Sequence, residues 1–302
     1  MKKIILIFAV GLFLFSCQHE EVETFNNDES LTSKKNIDNV LSFESKEAYE
    51  QLFTDKKQLN AKLANANFVS MASKIAKYNE ALEREKTTVG LLKDDTDLDY
   101  EDYGILPTIL NEDRIVKIGK HYIKVDLPQE RVLVLDDDYT SEYQDLLQDN
   151  IENEHIQLFS TGENVLNLLA KNEPSEIFKK CDADRARSGN ASIDYRFSRR
   201  KRVRVKVRYQ RAGIIFRLLA EGKAQKRRLG IWWHDGGRSF NLVSEHNFGK
   251  RCGKTANGFD ITLSDHGRAK LVLYNGFVAL EYYELTAAMQ YGVGTVTIQS
   301  NI

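Results

Sequence analysis

Arg202-Val203-Arg204-Val205-Lys206-Val207-Arg208-Tyr209 alternates without a break, a cation and then an apolar residue four times over. Successive side chains of a strand point to opposite faces, so this period of two predicts a β-strand with one apolar and one basic face. The chain after it reads the same way. Apolar segments at 213–220, 229–234, 238–243, 258–263, 269–274, 278–285 and 294–298 are separated by turn formers. Asp235-Gly236-Gly237, Asp265-His266-Gly267 and Asn275-Gly276 are three of these turns. About eight short strands joined in this manner predict an antiparallel β-sandwich or jelly roll. No internal repeat is visible, which argues against a propeller or solenoid.

The chain before residue 176 has a different period. Ser45 precedes Lys46-Glu47-Ala48 as an N-cap, and Leu52, Phe53, Leu59 and Leu63 recur near helical spacing. A second amphipathic run starts at Ser70 and carries Met71, Ile75, Tyr78 and Leu82, so the two runs predict a helical hairpin. The acidic residues 93–102 read as a loop and lack the spacing of a calcium-binding loop. Alternating segments at 115–118 and 121–125, joined by Gly119-Lys120, predict a β-hairpin. Further strands at 131–135 and 156–159, with helices at 141–148 and 163–170, complete a small α+β unit with one buried face. The fold class expected is therefore α+β: a helical hairpin and small α+β unit, then a C-terminal antiparallel β-sandwich or jelly-roll-like domain.

The first residues address the protein. Lys2-Lys3, an apolar run over residues 4–15 and a small Ser16 have the layout of a secretory signal, and the run is too short to span a membrane. Leu14-Phe15-Ser16-Cys17 resembles a bacterial lipobox, which implies that Cys17 is lipidated and becomes the mature N-terminus. Gln18-His19-Glu20-Glu21-Val22-Glu23 resembles the acidic export tag of surface lipoproteins in Bacteroidota-type bacteria. The organisation expected is a signal peptide over 1–16, a flexible tether over 17–35, a helical and α+β region over 36–175 and a β-rich domain over 176–302. The location expected is the outer membrane, facing either the periplasm or the cell surface.

A wider resemblance rests on Phe43-Glu44-Ser45-Lys46-Glu47, residues 106–125, Phe159-Ser160-Thr161-Gly162 and Tyr209-Gln210-Arg211-Ala212-Gly213-Ile214. These stretches are similar to a family of Bacteroidota lipoproteins with no assigned activity. The resemblance implies a lipoprotein and brings no functional residues with it.

Composition narrows the function. The 302 residues are 42% hydrophobic and 29% charged with a net charge of -1, so the chain builds a core and has no global affinity for polyanions. With Cys17 lipidated, Cys181 and Cys252 are left as a candidate disulfide in an oxidising compartment.

Charge is unevenly distributed, however. Residues 196–228 hold fourteen Lys or Arg and a single carboxylate, Glu221. Arg202, Arg204, Lys206 and Arg208 share one strand face at intervals of about 7 Å and could bind a polyanion. They could equally protect an edge strand or dock against the acidic 94–154 half of the chain. Trp232 and Trp233 end a strand at a turn, where one would face the core and the other could stack on a sugar ring.

His234-Asp235, Glu245-His246 and Asp265-His266 lack metal-ligand spacing, and no nucleophile elbow, phosphate loop or dinucleotide fingerprint occurs. No catalytic residue, metal or cofactor is assigned. The expected partners are the membrane, through Cys17, and a glycan or envelope protein; export makes nucleic acid an unexpected one. The competing function is a secreted hydrolase acting on glycan through a carboxylate pair that converges only in space.

Overall fold

The computed structural model describes residues 37, 39–52, 55–65, 68–77, 80, 103–168, 184–228, 230–264, 266–290 and 294–300. The leader, Cys17, the tether, the acidic 93–102 stretch and Cys181 lie outside the described residues. The fold is α+β, with a C-terminal β-sandwich.

Five strands form the first sheet in sequence order: β1 (Ser42–Phe43), β2 (Ile115–Ile118), β3 (His121–Asp126), β4 (Arg131–Asp136) and β5 (Ile156–Ser160). β1 runs parallel to β2 and the other neighbours are antiparallel. Gly119-Lys120 makes the β2–β3 turn, setting Ile118 opposite His121. Ser45 caps helix α1 (Lys46–Gln51), its hydroxyl accepting the Ala48 N–H at 3.2 Å. The first helical run is two short helices, α1 and α2 (Lys56–Asn65), and residues 71–77 are helical after it.

At its central strands, β2 to β4, both faces of this sheet are buried, where the sequence reading expects one. Phe43, Val116, Ile118, Ile123, Val125, Val132 and Val134 pack toward Tyr49 and Leu52 and toward helix α3 (Leu106–Ile109). Ile115, Tyr122, Leu133 and Leu135 pack on the other side under Tyr143 and Leu146 of helix α4 (Tyr143–Leu147). Lys124 lies nearly sealed on this side. Its ammonium donates to the carbonyls of Leu146 and Leu147 at 3.0 and 2.7 Å and meets Asp149 at 2.8 Å, which ties down the C-terminus of α4. The expected helix over 163–170 is a 3-10 turn, Val165–Leu168, within the described residues.

Two sheets make the sandwich. One is ordered β12 (Arg268–Gly276), β8 (Phe216–Arg228), β7 (Lys201–Arg211) and β6 (Gly189–Ser198), with β9 (Ile231–His234) paired to the far end of β8. The other is ordered β11 (Thr255–Ser264), β10 (Phe240–Lys250), β13 (Leu280–Met289) and β14 (Val296–Gln299). Val203, Val205, Val207 and Tyr209 of β7 all face the core, as their alternation predicts. They meet Leu242, Phe248, Leu285, Ala287 and Ile298 of the opposite sheet. The Tyr209 hydroxyl crosses the core to accept the Leu280 N–H at 2.8 Å.

The two parts of the chain share a joint. Residues 212–215, which turn β7 into β8, are apolar and leave the sandwich to enter the core of the first sheet. The Gly213 N–H donates to the Thr161 carbonyl at 2.9 Å, and the Gly213 carbonyl accepts the Val165 N–H at 3.1 Å. The Tyr49 hydroxyl donates to the Ile214 carbonyl at 3.2 Å. These bonds satisfy the backbone of a turn that would otherwise be buried with open polar groups. They also explain why β8 begins at Phe216 although the apolar run begins earlier.

Candidate ligand-binding surface

β7 carries the basic ladder from one end of the sandwich to the other. At about 3.3 Å per residue its two ends are separated by roughly 33 Å. The end at Arg211 abuts the joint, and the end at Lys201 forms a free tip with the β6–β7 turn.

Along its length the ladder is neutralised by carboxylates from both neighbouring strands. Asp194 of β6 stands opposite Arg204, which donates to it at 2.8 Å, while Arg202 reaches its other oxygen at 2.5 Å. Glu221 of β8 stands opposite Lys206 and accepts from Arg208 at 2.9 Å and from Arg268 of β12 at 2.7 Å. Burial opposes ionisation of Asp194, but hydrogen bonds and charge from Arg204 and Arg202 outweigh it and hold its pKa below the ordinary value. A depressed carboxylate pKa contributes stability above the unfolded value, near ~3.9, that is lost as pH falls through the folded one. Arg202 is 4% exposed and Arg208 is 7% exposed. The ladder is thus a set of cross-strand ion pairs with stems laid along the sheet, and its buried members present little charge to solvent.

Neither tryptophan enters the core, where the sequence reading expects one of them, because β9 pairs only with the far end of β8, beyond the packed part of the sandwich. Trp232 lies beneath the Arg202 guanidinium, 4.0 Å from ring centroid to the charged carbon, with Arg227 at 6.0 Å. Trp232 is therefore on the ladder face of the sheet. Trp233 is 42% exposed.

The tip is where cations and exposed rings meet. Arg199, Arg200, Lys201, Arg227 and Arg228 are all exposed there, and none pairs with a described carboxylate. The Arg227 N–H donates to the Arg200 carbonyl at 2.7 Å, which brings the β6–β7 turn against the end of β8. Phe197, 46% exposed, carries the Arg238 guanidinium 4.0 Å over its ring. Asp235, bonded to Lys226 at 3.7 Å, is a carboxylate beside this cluster. Flat rings offer stacking surface and the guanidinium groups offer forked donors, so the arrangement can hold a sugar ring and an acidic substituent together. The sequence reading names Trp233 but not Phe197, Arg199, Arg200 or Arg228. Their signal was the unbroken basic turn Ser198-Arg199-Arg200-Lys201.

Other candidates lie elsewhere. His246 pairs with Asp260 across β10 and β11 at 3.3 Å. Asp136, Asp137 and Asp138 hold oxygens within 4.8 Å of one another, but Asp137 is bonded to Lys117 at 3.0 Å and Asp136 caps the turn through the Asp138 N–H. Cys252 is disulfide-bonded, and its backbone is left-handed at φ 53°. The edge strand β11 exposes Phe259, Ile261 and Leu263 along one face.

Comparison with family models finds no match, and comparison with curated proteins finds none. Among solved structures, a DUF4848 family protein from Bacteroides thetaiotaomicron aligns over 87% of this chain and 98% of its own. The identity is 11% and the TM-score 0.20, a likeness that carries no argument about this chain.

Proposed function

We propose that the protein is an exported outer-membrane lipoprotein, held by lipid on Cys17, that binds an acidic glycan without catalysis. The binding surface is the tip of the sandwich. The observation that supports this reading is the meeting of five exposed cations, none paired with a described carboxylate, with the exposed rings of Trp233 and Phe197. The ladder itself serves a structural role, because Asp194 and Glu221 occupy its charges. A glycan array probed with the full-length protein in detergent should give signal on uronic-acid or sulfated glycans and little on their neutral counterparts. Binding confined to neutral glycans, or no binding at all, would overturn the reading.

The anchor and the disulfide are tested together. Non-reducing peptide mapping by mass spectrometry should find acyl chains on Cys17 and the Cys252 peptide linked to the Cys181 peptide. A free Cys17 thiol, or Cys252 linked to Cys17, would contradict the lipoprotein assignment.

A further inference from the structure

A second basic site lies at the other end of β7. At the joint, the first sheet and the sandwich border an open cleft of about 730 Å³, a volume suited to a small-molecule ligand. Arg185, Arg187, Arg211 and Arg251 line it, against the carboxylates of Glu130 and Asp184. The four guanidinium groups come from three separate parts of the sandwich sequence, and the joint sets Glu130, Ser160 and Gly162 of the first part against them.

Arg211 is the centre of the arrangement. Its side chain is 14% exposed, and its Nε is sealed from solvent with no hydrogen-bond partner. One terminal nitrogen donates to the Ala186 carbonyl at 3.3 Å, and the other stands 3.9 Å from Glu130, a carboxylate that is itself 63% exposed. Gly162 makes room for this group, since a Cβ there would lie 2.6 Å from the Arg211 guanidinium. Arg185 is drawn to Glu163 at 3.3 Å, whereas Arg187 forms no ion pair among the described residues. A mostly buried guanidinium whose terminal nitrogens are held only at 3.3 and 3.9 Å, flanked by more cations than carboxylates, is an environment that favours an oxyanion.

We propose that this cleft binds a small molecule bearing a carboxylate or phosphate group, of the size of a sugar acid or sugar phosphate, with Arg211 and Arg187 holding the anionic group. The site is distinct from the glycan-binding tip and does not depend on it.

The test is calorimetric titration of the full-length protein in detergent with glucuronate, glucose 6-phosphate, inorganic phosphate and neutral glucose. Saturable binding of glucuronate or glucose 6-phosphate, with none for glucose, is expected. The preferred acid tells carboxylate from phosphate recognition, and a response to inorganic phosphate equal to that of the sugar phosphate shows that the oxyanion alone is recognised. Arg187→Gln, at an exposed position, should weaken binding about tenfold with an unchanged melting temperature, and Arg211→Gln should abolish it. Arg199→Gln with Arg200→Gln at the tip should leave it unaltered. The proposal is overturned if no acid binds saturably, if glucose binds equally, or if Arg187→Gln in a normally melting protein binds as well as wild type. Because the tip and the cleft are mutated separately, loss of glycan-array signal and loss of this binding are independent results.

Discussion

Glu221→Gln should destabilise the protein by about 3–5 kcal/mol, the cost of breaking a buried ion pair from one side. Glu221 is 4% exposed and accepts from both Arg208 and Arg268, so one substitution removes the carboxylate from two guanidinium groups. The amide keeps the shape and loses the charge, so the effect reports electrostatics and not packing. Chemical denaturation of the variant measures it. A loss below about 1 kcal/mol would mean that the charge of Arg208 is compensated by other groups, and the ladder would then be less dependent on its flanking strands than the geometry indicates. Exchanging Glu221 and Arg208 together for apolar residues of similar size should cost much less, since a buried pair contributes little net stability over a hydrophobic replacement.

Gly213→Ala should be of similar size for a different reason. Gly213 sits at φ 74° in the buried turn of the joint, where an L-residue is strained by about 1–2 kcal/mol. Its added Cβ would lie 2.6 Å from a methyl of Val132 and 3.2 Å from one of Val165, and overpacking a filled core typically costs a further 1–3 kcal/mol or so. Unfolding free energies measure the sum. Combining the variant with Val132→Ala should cost less than the two separate losses added, because the truncation removes the contact while leaving the backbone strain. Strict additivity would show that the joint yields and that the close approach is not energetically felt.

Both sites illustrate what a single sequence discloses. The alternation over 202–209 is enough to predict a strand with Val203, Val205, Val207 and Tyr209 inside, because a period of two permits no other regular packing. The same reading places the start of the next strand too early. Gly213-Ile214-Ile215-Phe216 is continuously apolar, and periodicity does not distinguish a buried strand from an apolar turn inserted into a neighbouring core. The second buried face of the first sheet had a signal that alternation alone obscures. Residues 131–135 alternate poorly, with Leu133 and Leu135 as apolar as Val132 and Val134, which is how a strand covered on both sides reads.

The candidate sites were less legible than the fold. The basic ladder is plain in sequence, yet its neutralisation depends on the register that sets Asp194 opposite Arg204 and Glu221 opposite Lys206. Register is a property of strand pairs, which the period of a single strand does not contain. The cleft at the joint gives no linear signal, since Arg185, Arg187, Arg211 and Arg251 are brought together only by the fold.

The central claim is that charge available to a polyanion resides at the tip and not along the ladder. Heparin chromatography of the full-length protein in detergent tests it directly. Three proteins are compared at equal melting temperature: wild type, Arg199→Gln/Arg200→Gln/Arg228→Gln, and Lys206→Gln. The tip variant should bind about tenfold more weakly and elute at clearly lower salt, as expected for three exposed charges worth about 0.5 kcal/mol each. Lys206→Gln, on the ladder, should elute with wild type. The opposite order, with the tip variant unchanged and the ladder variant released early, would contradict the account.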